Sequence, residues 1–192
     1  MKMIVGISGN RCVGKDSFYT MLSKLHPTTA KRYAFADALK QDLFLLIHEQ
    51  FDMNIFNVSG EDKEIIRPIL IGYGNAWRMV DIDHWVKISI KHIESELELD
   101  PTILPVVVDI RYKNELEYLR YKYGDDLIHI HIDRYDAIVP TFEETRNIDS
   151  VSSKADYSLE WGNNTQDEMF DMVKNIYNDI QNKSRYAPSP FS

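Results

Sequence analysis

The residues best equipped for chemistry stand near the start of the chain. Gly9 to Lys15 fits the spacing G-x-x-x-x-G-K, most of a phosphate-binding loop. The loop follows an apolar run, Met3 to Ile7, and opens a helix, the setting in which the motif has a mechanism. There the backbone N–H groups of Gly9, Asn10, Arg11, Cys12, Val13 and Gly14 make an anion nest at a helix N-terminus. Lys15 adds a full positive charge suited to the β- and γ-phosphates of a nucleotide. Where such a loop normally carries Ser or Thr the chain has Asp16, with Ser17 one place later. A carboxylate there repels phosphate oxygens, yet with the Ser17 hydroxyl it offers oxygen ligands for Mg²⁺. The plainer reading of Asp16 is a charge that complements the helix dipole.

A second set of candidates is scattered. Asp109 ends the apolar run Leu104 to Val108, where a carboxylate reaches the crevice as a base, a contact to metal-bound water or a substrate ligand. Arg111 follows two residues later and suits bidentate contact with phosphate. Lys40, Arg67 and Arg78 are candidates for gripping a second phosphate, and each alone is equally a solvated charge. Arg134 and Arg146 bracket a polar stretch and are positioned to neutralise a transferring phosphoryl group on closure. His129 and His131 lack a third ligand at sensible spacing and read as an exposed or half-buried strand face.

Periodicity supplies the elements that must position these groups. Strands are predicted at Met3–Ile7, Tyr33–Ala36, Leu104–Val108, Leu127–Ile132 and Tyr157–Leu159, with a marginal pattern at Ile55–Val58. Helical stripes run through Phe18, Met21, Leu22 and Leu25, and through Leu39, Leu43, Leu46 and Ile47 behind an N-cap at Asp37. Ser59 and Asp62 suggest a capping box for a segment broken or kinked at Pro68 and punctuated by Gly72 and Gly74. Asp83 caps the stripe Val86, Ile90, Ile93 and Leu97; Leu116, Leu119 and Tyr123 mark another helix. Thr165 with Glu168 opens a last helix carrying Met169, Val173, Ile176 and Ile180. Asp133 to Val151 reads as a long loop or flap. Residues 184–192 read as a disordered tail.

Strands alternating with helices give an α/β fold with a mainly parallel, five-stranded sheet covered on both faces. Ligands bind beyond the carboxyl ends of such strands, so the loop, Asp37, Asp109 and the flap share one crevice. The 192 residues suit one domain, 1–183, with a helical block at 37–103. A net charge of −8 argues against a nucleic-acid polymer as partner. One cysteine, Cys12, rules out an internal disulfide, no apolar run nears the about 18 residues of a membrane span, and no signal-peptide pattern opens the chain. A cytoplasmic protein is the expectation.

Several segments, taken in order, resemble the phage-type deoxynucleoside monophosphate kinases of the P-loop nucleotide-kinase superfamily. They are SGNRCVGKDS, FADALKQDL, RPILIGYG, WRMVDIDHWVK, VVVDIRYKNELEYLR and ADYSLEWGNNTQDEM. The G-K-D-[ST] form of the loop is a feature of that group, and D-x-R-x-x-N-E, Asp109 to Glu115, is the more discriminating match. Phosphomevalonate and dephospho-coenzyme A kinases share similar segments. The resemblance implies a three-layer P-loop kinase fold using ATP and Mg²⁺, with the nucleotide donor on Gly9–Ser17 and Arg146, and Asp16 and Ser17 near the metal. It implies a nucleoside monophosphate acceptor among Asp37, Lys40, Arg67, Arg78, Trp85, Asp109 and Arg111. Lys15, Asp109, Arg111 and Arg134 would serve the transfer itself, with 133–151 as a lid. It also suggests a homodimer and a virus-infected host cytoplasm. The rival readings are a kinase of another small phosphorylated metabolite and a non-catalytic nucleotide-binding switch.

Overall fold

A computed structural model describes residues 3–135 and 142–186, with side chains described outside 142–146 and 183–186. Five strands form one wholly parallel sheet: β1 (Ile4–Ser8), β2 (Ala30–Tyr33), β3 (Leu104–Ile110), β4 (Leu127–Arg134) and β5 (Tyr157–Trp161). Their order is β2-β3-β1-β4-β5, so the phosphate-loop strand is central. β1 and most of β3 are buried on both faces, the pattern of a parallel sheet under helices.

Among the described residues seven α-helices flank it: α1 (Lys15–Leu25), α2 (Phe35–Phe51), α3 (Gly60–Val80), α4 (His84–Leu99), α5 (Lys113–Tyr123), α6 (Phe142–Ser152) and α7 (Gln166–Tyr186). One core gathers the inner faces of α2, α4 and α5 around Val107 and Ile110; the other gathers α1 and α7 around Val5, Ile7 and Ile130. The stripe Val86, Ile90, Ile93 and Leu97 is buried throughout, whereas Leu46 at the edge of the α2 stripe is 48% exposed. The expected capping box at Thr165 is present in both directions, with Thr165 N–H donating to Glu168 and Glu168 N–H to Thr165.

Several sequence expectations need correction. β2 lies three residues earlier than predicted, and α2 begins at Phe35, so Asp37 sits in its first turn instead of capping it. A carboxylate from another strand supplies that cap, as described below. α3 runs unbroken through Pro68, Gly72 and Gly74. Proline in a helix interior removes one N–H and crowds the preceding turn, but packing of Ile66 and the turns around it outweighs that cost. Ser59 and Asp83 occupy N-cap positions without a side-chain cap bond. Residues 55–57 form a turn. β3 extends through Asp109 to Ile110. The stretch expected as an unstructured flap contains α6, and residues 136–141 within it lie outside the described residues. α7 carries the chain to Tyr186; of the expected tail, 187–192 lie outside the described residues.

Candidate active site

The crevice forms at the carboxyl ends of β1 and β3 because the chain leaves those strands toward opposite faces. From β1 it turns through Gly9, with φ +146°, and Gly14, with φ +94°, into α1. Neither position tolerates a side chain. A Cβ on Gly9 would lie 2.2 Å from the Ile132 carbonyl oxygen, and one on Gly14 would lie 2.9 Å from the indole Nε1 of Trp161. β4 and β5 therefore wall the loop from behind.

Lys15 folds over the loop and donates to the carbonyls of Gly9 at 2.9 Å and Asn10 at 2.5 Å. Burial pushes its pKa down to about 8, helped by the positive charge of Arg111 and opposed by Asp109 and Asp16. Asp16 points outward at the head of α1, and its carboxylate takes the Nε of Arg32 at 3.2 Å. Arg32 also reaches Asp37 at 3.0 Å, and Asp37 lies 3.5 Å from Lys40. A chain of alternating charge thus links the loop helix to α2. Arg32 was absent from the sequence candidates because its role depends on β2 bringing it beside α1, a tertiary relationship that no local spacing signals.

The Asp109 carboxylate accepts the backbone N–H groups of Phe35 at 2.7 Å and Ala36 at 2.9 Å. It closes the first turn of α2, satisfying N–H groups that a helix leaves orphaned. Burial nevertheless raises its pKa against those bonds and the pull of Arg111. Glu115, from the first turn of α5, accepts the N–H groups of Arg111 at 2.8 Å and Tyr112 at 3.0 Å through one oxygen, Oε2. Its Oε1 lies 3.8 Å from Arg78, whose guanidinium sits 4.6 Å from the centre of the Tyr112 ring. Asn114 ties the same turn to α4's approach, donating to the Ile82 carbonyl at 2.9 Å. The Asn and Glu of the D-x-R-x-x-N-E segment hold the β3–α5 corner in shape.

Between the loop, α2, α3 and this corner opens a cleft of about 480 Å³. Arg11, Lys40, Arg67, Arg78 and Arg111 line it, with Asp109 and Glu115 as its carboxylates and Phe35, Leu39, Leu70, Ile71, Trp85 and Tyr112 among its walls. The structure therefore brings together nearly every residue predicted for the acceptor side. Arg67 is paired with Glu64 by two hydrogen bonds, at 3.0 and 2.8 Å. Trp85 presents its ring, its N–H being bonded to the Gly74 carbonyl at 3.1 Å. Arg11, expected only as part of the donor loop, faces the cleft. Asp37 stands behind it, in the charge chain. Arg134 is exposed at the end of β4 and does not line the cleft. The Arg146 side chain lies outside the described residues, but its helix contributes Asn147 and Ile148 to the cleft wall, which sequence reasoning missed.

The histidines of β4 are not an exposed face. His129 is fully buried and His131 is 8% exposed, because β4 lies between β1 and β5 and is covered on both sides. Ser8, the last residue of β1, places Oγ 2.8 Å from His129 Nε2 and 2.9 Å from His131 Nδ1. Burial lowers the His129 pKa to about 4, so the pair is neutral at pH 7. Among the described residues no group of three or more His, Cys, Asp and Glu is placed to hold a metal ion by itself. The donors expected for Mg²⁺, the Asp16 carboxylate and Ser17 hydroxyl, are exposed hard oxygens in the first turn of α1, with Asp16 Oδ1 shared with Arg32. They fit an ion that is completed by water and substrate phosphates.

No protein-family model and no curated protein matches the chain. Solved structures do. An unliganded sugar kinase from Janibacter sp. HTCC2649 superposes with a TM-score of 0.50 at 10% identity, covering 93% of this chain and 95% of that one. A dephospho-CoA kinase from Campylobacter jejuni gives 0.49 at 15% identity, over 96% and 100% of the two chains. The fold is one that this chain shares with the solved sugar kinase. At these identities the likeness concerns the fold; what the site does rests on its own residues. Among the described residues no helix is long and apolar enough to cross a membrane.

Proposed function

We propose that this protein transfers the γ-phosphoryl group of ATP to a nucleoside monophosphate, with a deoxynucleotide as the expected acceptor. The observation that carries the reading is the cleft: residues of the Gly9–Lys15 loop line one end of a cation-lined cavity with apolar and aromatic walls. A nucleotide switch has no use for a cation-lined cavity that extends so far beyond its loop. Its volume is in the range of small-ligand sites, and its mixture of guanidinium groups with Trp85 and Tyr112 suits a phosphate joined to a flat base.

In this reading the loop N–H groups and Lys15 hold the donor phosphates, and Arg78 and Arg111 hold the acceptor phosphate facing them. An acceptor oxygen attacks in line, and the work of the protein is positioning and neutralisation of charge. Mg²⁺, held through Asp16 and Ser17, would supply charge neutralisation at the donor phosphates. Asp109 contributes by fixing the start of α2, and so the place of Lys40 and Leu39 against the acceptor. Arg134 and Arg146 belong to the proposed lid.

Any phosphorylated acceptor would find the same cations, so the test is a product panel. Mg-ATP is incubated with each common nucleoside and deoxynucleoside monophosphate and with dephospho-coenzyme A, and products are separated by anion-exchange chromatography. A nucleoside diphosphate is the expected product. Phosphorylation of dephospho-coenzyme A alone moves the assignment to the metabolite kinases, and no product from any acceptor sinks it.

A further inference from the structure

Glu115 is 4% exposed and yet lines the cleft. Its two oxygens do different things. Oε2 accepts two backbone N–H groups and has no capacity left. Oε1 faces Arg78 at 3.8 Å, beyond hydrogen-bond distance, so the pair is electrostatic and loose. The Arg78 guanidinium carbon lies 4.6 Å from the centre of the Tyr112 ring, and Nη1 makes a long hydrogen bond to Asn75 Oδ1 at 3.4 Å. The polar contacts that hold the guanidinium are thus weak ones, which an incoming phosphate dianion can outcompete.

We infer that Glu115 is a positioning residue which holds Arg78 at the acceptor site, yields it to the acceptor phosphate and takes up a proton from solvent on Oε1 as it does so. This rests on the acceptor reading above. An arriving dianion captures Arg78 and adds negative charge beside a buried carboxylate that already feels Asp109 from β3. The other charges at the cleft are Arg11 from the loop, Arg67 and Arg78 from α3, Lys40 from α2 and Arg111 at the strand end; α4 and α6 present neutral Trp85, Asn147 and Ile148. With Arg78 engaged elsewhere, what remains to favour the ionised form is the pair of N–H groups on Oε2. Burial and Asp109 have already brought the Glu115 pKa up to about 7, so a modest further push changes its protonation at neutral pH.

The test is calorimetric titration of the four deoxynucleoside monophosphates, each alone, at pH 7.5. The protein is saturated beforehand with Mg²⁺ and a non-hydrolysable ATP analogue, so that Lys15 is already engaged. At this pH a phosphate monoester is a dianion and contributes little proton exchange of its own. Repetition in buffers of different ionisation enthalpy gives the number of protons bound. Wild type should take up about half a proton, and its dissociation constant should rise about threefold from pH 7 to pH 8. Glu115→Gln should lose the uptake while still binding. Arg78→Gln, which leaves the β3–α5 corner intact should the first disturb it, removes an acceptor contact and should bind at least tenfold more weakly. Titrated at correspondingly higher ligand concentration, it should also show no uptake. No uptake in wild type, or uptake persisting in either variant, overturns the inference. Binding of none of the monophosphates overturns the acceptor reading and this inference together.

Discussion

The carboxylate of Asp109 holds the first turn of α2 through Phe35, whose N–H lies 2.7 Å from Oδ1, across 74 residues of sequence. A carboxylate at the end of a β-strand in this fold invites a reading as a base. Here both oxygens are engaged by backbone N–H groups, and Asp109 acts first as a brace between the sheet and the acceptor helix.

Removing the brace should therefore cost stability as well as turnover. Asp109→Ala leaves two N–H groups of a partly buried helix start without an acceptor, a loss of about 1–3 kcal/mol. Thermal denaturation should shift down by several degrees, and turnover should fall far more than ATP affinity does. An unchanged melting temperature would contradict the bracing role.

The loop is constrained from behind by Trp161. Gly14→Ala places a methyl group 2.9 Å from the indole Nε1 and forces alanine into φ +94°, a left-handed region that side chains avoid. Nucleotide affinity should drop at least tenfold, with a change in tryptophan fluorescence reporting the displaced ring. Ordinary nucleotide binding in this variant would mean that the loop is not held as described.

Two buried groups should oppose each other in the pH dependence of stability. Glu115 has its pKa raised from 4.5 to about 7, so its contribution is fully present below pH 4.5 and is lost as pH rises through 7. Asp109, also raised, acts in the same sense. His129 has its pKa lowered from 6.5 to about 4, so its contribution is present above pH 6.5 and lost as pH falls through 4. Each amounts to about 3 kcal/mol at most across the same window and largely cancels the other. Urea unfolding of wild type from pH 4.5 to 7 should change little on account of this pair. In Glu115→Gln stability should climb with pH over that range; a curve parallel to wild type would contradict the assignment.

Lys15 is an ammonium group forced into a mostly buried place, and its depressed pKa means that folding disfavours its charge. Lys15→Met should fold with stability equal to or greater than wild type, while turnover falls by at least 100-fold through loss of the phosphate contact. A variant that keeps wild-type turnover would remove the loop from the mechanism.

The parts legible in sequence were those set by local spacing. The loop, the five strands and the stripes of α1, α4 and α7 follow from periodicity and capping, and each is where the pattern put it or within a few residues. What escaped depends on contacts between distant segments. The start of α2 was misplaced because its cap is Asp109, far along the chain. At Pro68 the pattern leaves a break and a kink both open, since a lone proline does not reveal the packing that carries α3 past it without a break. His129 and His131 looked like one polar face, and only the order of the strands shows that Ser8 satisfies both. The acceptor candidates Lys40, Arg67, Arg78 and Arg111 do converge on one cleft, but the charge chain through Arg32 and the role of Glu115 required the fold.

The central claim is that the cleft beside the loop receives a nucleotide acceptor. The most direct measurement is the rate of ADP release from Mg-ATP, followed by a coupled assay with and without each nucleoside monophosphate. Stimulation of at least 100-fold by one or more of them is the result expected. Slow ADP release that no monophosphate changes would contradict the account.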